Sequence, residues 1–355
     1  MNDDPQKLLE RYEPKQVKVI NADRQMGTLR FSPCGKLLAA GGHDGAIHRW
    51  DASSDDLAAL PPLTGHGGWV QNLVFHPDGQ RLISADSWGQ LRCWSVADKE
   101  PKTLWSVPNA HDGWIHGLAL SVDGRYIVTG GNDRVVRVWT ADGQKQQEWP
   151  GHEQDILSVA VHPDGQSVVS GDLYGVVKRW DLASGKVVRE LDAKILYALS
   201  RLQDVGGARR LTFDAKGTTL ACAGLIPKNG GNVQGKPTIL LFDWQSGKLA
   251  HTLTNFADGD GYVYDVYFHP AGFIMAVTSG NPGTGKFFFQ RPSDAQPFFI
   301  MTKMANCHAL AVHPNGQRLA IAATNTGSAG NGRQLKDGEY PGNFSPIFIW
   351  DMPAG

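Results

Sequence analysis

The chain has 355 residues, 41% of them hydrophobic, enough for a sizeable core, and no apolar run approaches the ~20 residues of a membrane-spanning helix. Its 34 Lys and Arg against 35 Asp and Glu leave a net charge of −1 without any block of like charge. That argues against nucleic acid as a partner, since such binders carry a basic stripe. Four cysteines (Cys34, Cys93, Cys222 and Cys307) lie far apart with no C-x-x-C pair, which suits neither a zinc site nor a disulfide framework. With a polar, charged start over residues 1–10, the expectation is a reduced, cytoplasmic chain without membrane contact.

Length alone suggests about two domains. Internal repetition argues instead for one, over residues 16–352, preceded by an extension over 1–15. The first element is a strand, Gln16-Val-Lys-Val-Ile20, alternating polar with apolar. A phrase then recurs seven times, an apolar strand running into a turn that ends in glycine. It reads FSPCG at 31–35, FHPDG at 75–79, LSVDG at 120–124, VHPDG at 161–165, FDAKG at 213–217, FHPAG at 268–272 and VHPNG at 312–316. Pro and Asp early with Gly last is β-turn chemistry, because Gly takes positive φ without strain. After each turn come an apolar strand, a second turn and a strand closing on an aromatic residue: Trp50, Trp94, Trp139, Trp180, Phe242, Phe289 and Trp350. Asp follows four of these closers, as Asp51, Asp181, Asp243 and Asp351.

Repeats of this period with Trp-Asp endings resemble the WD-repeat family. The resemblance covers about residues 16–352. It implies an all-β, seven-bladed β-propeller of four-stranded antiparallel blades, monomeric as a ring. It also implies that the N-terminal strand completes the last blade, since no outer strand follows Trp350-Asp351. Glycine–histidine pairs, another mark of the family, stand at Gly65-His66 and Gly151-His152, with Ala110-His111 close to them. Blade three carries the family's whole polar set, His111, Thr129, Asp133 and Trp139, which implies a buried chain from indole N–H through hydroxyl and imidazole to carboxylate. Such a chain is structural, since a Trp N–H only donates and each later group accepts and passes on. In blades two and four Trp88 and Tyr174 stand in the Asp position, and blades five to seven lack the His. Those blades are expected to rely on apolar packing.

Spacing locates added material. From turn glycine to closing aromatic, blades one to four take 15 residues each, against 25 in blade five, 17 in six and 34 in seven. The surplus is 224–237 and 324–346, between the second and third strands. Links between blades take 26 to 30 residues except Trp180 to Gly217, which takes 37; its surplus, about 192–206, contains 195–202, which reads as a short helix. All three insertions belong to one face, and long loops on a rigid frame are where binding residues gather.

Aligning the first strands on their last apolar residue gives three rows. Four positions earlier lie Gly27, Gln71, His116, Leu157, Arg209, Tyr264 and His308; six earlier lie Gln25, Trp69, Trp114, Asp155, Gly207, Tyr262 and Asn306. The row between them is Met26, Val70, Ile115, Ile156, Ala208, Val263 and Cys307. Alternation assigns this middle row to the core and the flanking rows to the channel mouth. The resemblance implies partner contact there, and Trp, Tyr, Arg and His are the types that carry interface energy. The candidate contacts are Trp69, Gln71, Trp114, His116, Asp155, Arg209, Tyr262, Tyr264 and His308.

Two motifs are set aside. Residues 280–286, GNPGTGK, match a phosphate-cradling loop in spacing, but Phe287-Phe288-Phe289 follows where a Ser or Thr and a helix are needed. Asp258 and Asp260 lack calcium-loop spacing and read as a turn. The expectation is a non-catalytic scaffold for a partner protein or peptide, without metal or cofactor. The alternative is a propeller hydrolase acting on a lactone or sugar ester, for which Asp155, Asp265, His116 and His308 are the available groups.

Overall fold

The computed structural model describes residues 4–96, 100–200, 202–228, 234–281, 283–324 and 344–353. Short β-branched and aromatic runs broken by Gly-terminated turns form seven antiparallel sheets of four strands each, ordered as a ring. Within each blade the first strand, a, lies innermost against the a strands of its neighbours, and the last strand, d, lies outermost. Blade one runs Met26–Phe31, Leu37–Gly42, Ala46–Asp51, Ala58–Thr64. In blade seven, Cys307–Val312, Arg318–Ala323 and Ser345–Asp351 are completed by Lys15–Ala22, which pairs antiparallel with the last strand from Lys15↔Asp351 to Ala22↔Ser345. The ring is thus closed by its N-terminal strand, which leaves no open edge at the seam. Ahead of that strand, the helix Pro5–Tyr12 is capped by Asp4 and buries Leu8 and Tyr12 against Phe273, Phe299 and Met304 of blade six.

The middle row of the a strands is the core: Met26, Val70, Ile115, Ile156, Ala208 and Cys307 are fully buried, and Val263 nearly so. Immediately after it, six of the seven a strands carry a register shift, at Met26/Thr28, Val70/Asn72, Ile115/Gly117, Ile156/Ser158, Val263/Asp265 and Cys307/Ala309. The extra residue of each bulge is Gly27, Gln71, His116, Leu157, Tyr264 or His308. A bulge turns its unpaired residue out of the ladder, here toward the channel.

Two expectations change. The stretch 195–202 is not a helix. A single 3-10 turn, Lys194–Leu196, leads into a hairpin of Tyr197–Ser200 against Gln203–Gly206, with Leu202 at φ 63° in the bend. Apolar residues at 195, 196, 199 and 202 imitate helical spacing, but Leu199 and Leu202 lie in solvent while Leu196 tucks under blade five. The insertion at 224–237 is not mainly loop: the strands Thr219–Pro227 and Gly235–Asp243 continue their ladder to Pro227↔Gly235. The third insertion, 324–346, falls largely outside the described residues.

The polar sets also differ from expectation, because blades two and four have complete ones. Trp94 Nε1 donates to Ser84 Oγ at 2.8 Å, Ser84 Oγ lies 2.6 Å from His66 Nε2, and His66 Nδ1 lies 2.9 Å from Asp86. Trp180, Ser170, His152 and Asp172 repeat this at 2.7, 2.6 and 2.8 Å. Blade three has its expected set, Trp139, Thr129, His111 and Asp133, at 2.9, 2.7 and 2.8 Å. In blades two and four the carboxylate is the last residue of the second strand, not a residue of the following turn. Trp88 and Tyr174 therefore replace nothing. In blades one, five, six and seven the hydroxyl's place in the ladder holds Ala40, Cys222, Val277 and Ile321.

On the face opposite the mouth, turn histidines staple neighbouring blades. His76 Nε2 donates to Gly124 O at 3.0 Å, His162 Nε2 to Gly217 O at 2.9 Å, and His313 Nε2 to Gly35 O at 3.2 Å. Each receiving glycine has positive φ, and a Cβ there would collide with the imidazole. Gly79, Gly165 and Gly272 face open space, because the preceding blades carry Ser32, Ser121 and Asp214 in place of the histidine. His269 makes no such staple; it stacks on Phe273 at 4.3 Å with Tyr12 of the N-terminal helix against its edge.

Candidate functional site

The bulged residues converge on a cavity of about 460 Å³ at the channel mouth, lined by Gln71, His116, Tyr264 and His308 together with Trp69, Trp114, His43 and Arg209. Seven of the nine candidate contacts are therefore gathered in one place. Asp155 and Tyr262 do not line it. Asp155 accepts from Asn132 Nδ2 at 2.7 Å, bridging blades three and four, and burial raises its pKa. Tyr262 is buried; its hydroxyl accepts from Gly206 N at 3.2 Å, and the Arg209 guanidinium sits 4.3 Å from its ring centroid.

One wall is an aromatic shelf. His43 stacks parallel on Trp69 at 4.5 Å, Trp69 meets Trp114 edge-on at 5.6 Å, and Trp114 touches His116 at 5.3 Å. Both tryptophans keep 37% of their surface in solvent despite these contacts. Gln71 Nε2 lies 3.3 Å from His43 Nε2 and fixes its ring. Across the cavity Tyr264 stands edge-on to His308 at 5.4 Å.

The floor is ionic. Asp265 receives Arg30 Nη1 at 3.0 Å and Leu310 N at 3.2 Å, with Arg210 Nε 2.9 Å away as an ion contact outside hydrogen-bond alignment. These partners come from blades one, seven and five, so one carboxylate on blade six ties four blades across the channel. Desolvation pushes the Asp265 pKa up, but the Arg210 and Arg30 charges and the Leu310 N–H outweigh it and hold the group ionised. Burial pushes His116 down to about 4, helped by the Arg209 charge, and His308 to about 4 as well, so both are neutral near pH 7. His308 Nε2 is buried with no hydrogen-bond partner among the described residues.

The hydrolytic alternative needs a free carboxylate or a basic imidazole at the mouth. Asp265 is clamped by two arginines, Asp155 is turned to Asn132, and both histidines are weak bases. Among the described residues no three His, Cys, Asp or Glu side chains are grouped to hold a metal. In the glycine-rich segment Lys286 Nζ pairs with Asp260 at 2.5 Å, and the strand Gly285–Gln290 follows where a phosphate loop needs a helix.

Sequence reasoning missed several residues on this face. Trp88 is 70% exposed at the tip of the turn between the second and third strands of blade two, lying over Gly67 and Gly68. Ile195 on the 3-10 turn and Leu199 and Leu202 on the inserted hairpin stand exposed. A tryptophan inside a short polar turn was the available signal for the first. For the hairpin, only the extra length pointed to it.

The comparisons with known proteins agree with this architecture. A family model described as WD domain, G-beta repeat matches residues 15–51, 59–95, 102–140 and 143–181. Each match begins on or just before the outer strand of one blade and ends one residue after the closing aromatic of the next. Relatives include nuclear distribution protein nudF 2 of Aspergillus clavatus, 37% identical over 70 residues, covering 20% of this chain and 15% of that protein. Nuclear distribution protein PAC1 of Gibberella zeae is 35% identical over 68 residues, 19% of this chain and 14% of its own. Human apoptotic protease-activating factor 1 is 42% identical over 76 residues, 20% of this chain and 6% of its own. The matched part spans less than a sixth of each of these relatives. Four stretches are thus WD repeats by the family model, and all seven blades are built on the same plan, that of a WD-repeat propeller.

Proposed function

We propose that the chain is a non-catalytic interaction scaffold that takes a partner protein or peptide on the mouth face. The observation that carries this reading is the shelf of Trp69 and Trp114, aromatic yet over a third exposed at the rim of a cavity on a rigid ring. Aromatic and Arg anchors beside a desolvated pocket are what interfaces use, at ~2 kcal/mol or more each on truncation. The exposed Trp88 and the hairpin's Leu199 and Leu202 extend the apolar surface around the cavity. WD-repeat relatives named for nuclear distribution and for protease activation support a role in assemblies. The four cysteines are unpaired and three are buried, which suits a reducing compartment, so we place the protein in the cytoplasm.

The test is affinity capture from native cells, followed by comparison of variants in pull-down and thermal melting. A Trp69→Ala, Trp114→Ala double variant is expected to stay folded and lose the partner. Changes at Lys36 and Asp164, on the opposite face, are expected to leave it bound. Loss of the complex through Lys36 and Asp164 alone would move the binding surface to the other face.

A further inference from the structure

The charge inside the mouth is unbalanced. Arg30, Arg209, Arg210 and Asp265 all line the cavity. Asp265 is shared between Arg30 and Arg210. Arg209 is held by its Nε, which donates to Gly206 O at 3.1 Å, and by Tyr262 under its guanidinium. No carboxylate among the described residues pairs with it, and its terminal amino groups remain available. It lines the cavity together with His116 and Tyr264. With the histidines neutral, three positive groups stand against one negative. Beside them, the buried His308 Nε2 is a polar atom without a partner. A walled, partly desolvated site strengthens such an imbalance relative to open water.

We propose that this socket receives an anion, the side-chain carboxylate of an acidic segment in the partner, docked on Arg209 beside His116 and Tyr264. This rests on the mouth being the partner surface and names the chemistry recognised there. A guanidinium with its Nε already anchored presents its two amino groups in a fixed fork, which fits two carboxylate oxygens. The Trp69–Trp114 shelf lines the same cavity and offers apolar surface to the aliphatic stem of the entering side chain. A cationic segment is disfavoured by the same charges. The cavity lies within the ~300–1,000 Å³ usual for ligand sites.

The experiment is calorimetry on the full chain with a capped hexaglutamate peptide, a capped hexalysine peptide and a phosphoserine-containing peptide. Hexaglutamate is expected to bind, and to weaken steeply between low and high salt. Arg209→Gln is expected to weaken it about tenfold or more while melting close to wild type, and Arg209→Lys to retain part of the affinity. Absence of hexaglutamate binding, equal binding of hexalysine, or indifference to Arg209→Gln would overturn the proposal. More than tenfold tighter binding of the phosphoserine peptide would replace carboxylate with phosphate as the ligand. If the Trp69, Trp114 double variant loses a captured partner while Arg209→Gln keeps it, the anion socket fails and the mouth surface stands. If both keep it, both readings fail.

Discussion

Blades two to four and blades five, six, seven and one are held together by different physics. The first group has a buried Trp–hydroxyl–His–Asp chain in each blade, linking its third strand through the second to the loop entering the first. The second group has apolar residues in the hydroxyl's place and, among the described residues, no such chain. Those four blades are the ones that meet at Asp265. Polar specificity is thus distributed within blades on one side of the ring and concentrated between blades on the other. A quartet fixes one sheet, whereas the Asp265 clamp fixes how separate sheets are arranged around the channel.

Several measurements can break or sharpen that contrast. Deleting residues 1–22 removes the strand that pairs along Ser345–Asp351 and should give aggregation or near-complete loss of cooperative melting; a truncated chain that melts like wild type would refute closure as a stabilising device. Asp265→Ala should cost about 3–5 kcal/mol in chemical denaturation, because Arg30 and Arg210 are left facing each other in a buried site. A broadened or biphasic transition would locate the loss in the blades that share the clamp.

Trp139→Phe keeps an aromatic ring but leaves a small cavity and takes the donor from Thr129, which should cost about 2–4 kcal/mol. Trp350→Phe in blade seven leaves a similar cavity but should cost less, since the buried Trp350 Nε1 group has no acceptor among the described residues and no hydrogen bond is lost. Equal costs for the two would erase the distinction between the two groups of blades. At the turns, Gly124→Ala should be more damaging than Gly165→Ala. Both glycines have positive φ, where a Cβ costs about 1–2 kcal/mol, but only Gly124 lies against a histidine staple. His76→Ala should reduce the difference.

A last expected effect concerns pH. His116, His269 and His308 are each depressed to about 4 by burial, below an unfolded value of ~6.5. Between those values the unfolded chain binds more protons than the folded one, so stability rises with pH across the window. Acidification from pH 7 toward 4 should therefore lower the melting temperature by a few degrees or more. A His116→Asn, His308→Asn variant should show a flatter profile, and an unchanged slope would mean that the mouth histidines titrate normally.

The ring was legible because its signals repeat: seven turn glycines and seven closing aromatics fix the strands by arithmetic. The core row and the mouth rows followed from alternation, and the bulge after the core row explains why the residues four positions before the strand end project into the channel. The quartets of blades two and four were missed because the carboxylate's position relative to the histidine is not constant. His66 to Asp86 and His152 to Asp172 span 20 residues, but His111 to Asp133 spans 22, since blade three places its Asp in the turn. The inserted hairpin was misread because four apolar residues at helical spacing carry no information about which of them will be buried. The Asp265 clamp has no sequence signal, since Arg30 and Asp265 are 235 residues apart and meet only when the ring is complete.

Closing the ring with the N-terminal strand also sets a timetable. Lys15 faces Asp351 across 336 residues, whereas the first hairpin pairs Met26 with Gly42 across 16. Joining the more distant ends costs roughly 3 kcal/mol more in chain entropy. During synthesis at ~5–20 residues per second, the early strand waits on the order of 15–70 s before its pairing partner exists. Through that interval it is an unpaired edge with half-apolar alternation, open to chaperones or to another nascent copy. A circular permutant with new ends between blades three and four would turn this last pairing into an early, local one. It should fold faster while melting at much the same temperature, and its refolding rate would show how far the location of the chain ends governs the folding barrier.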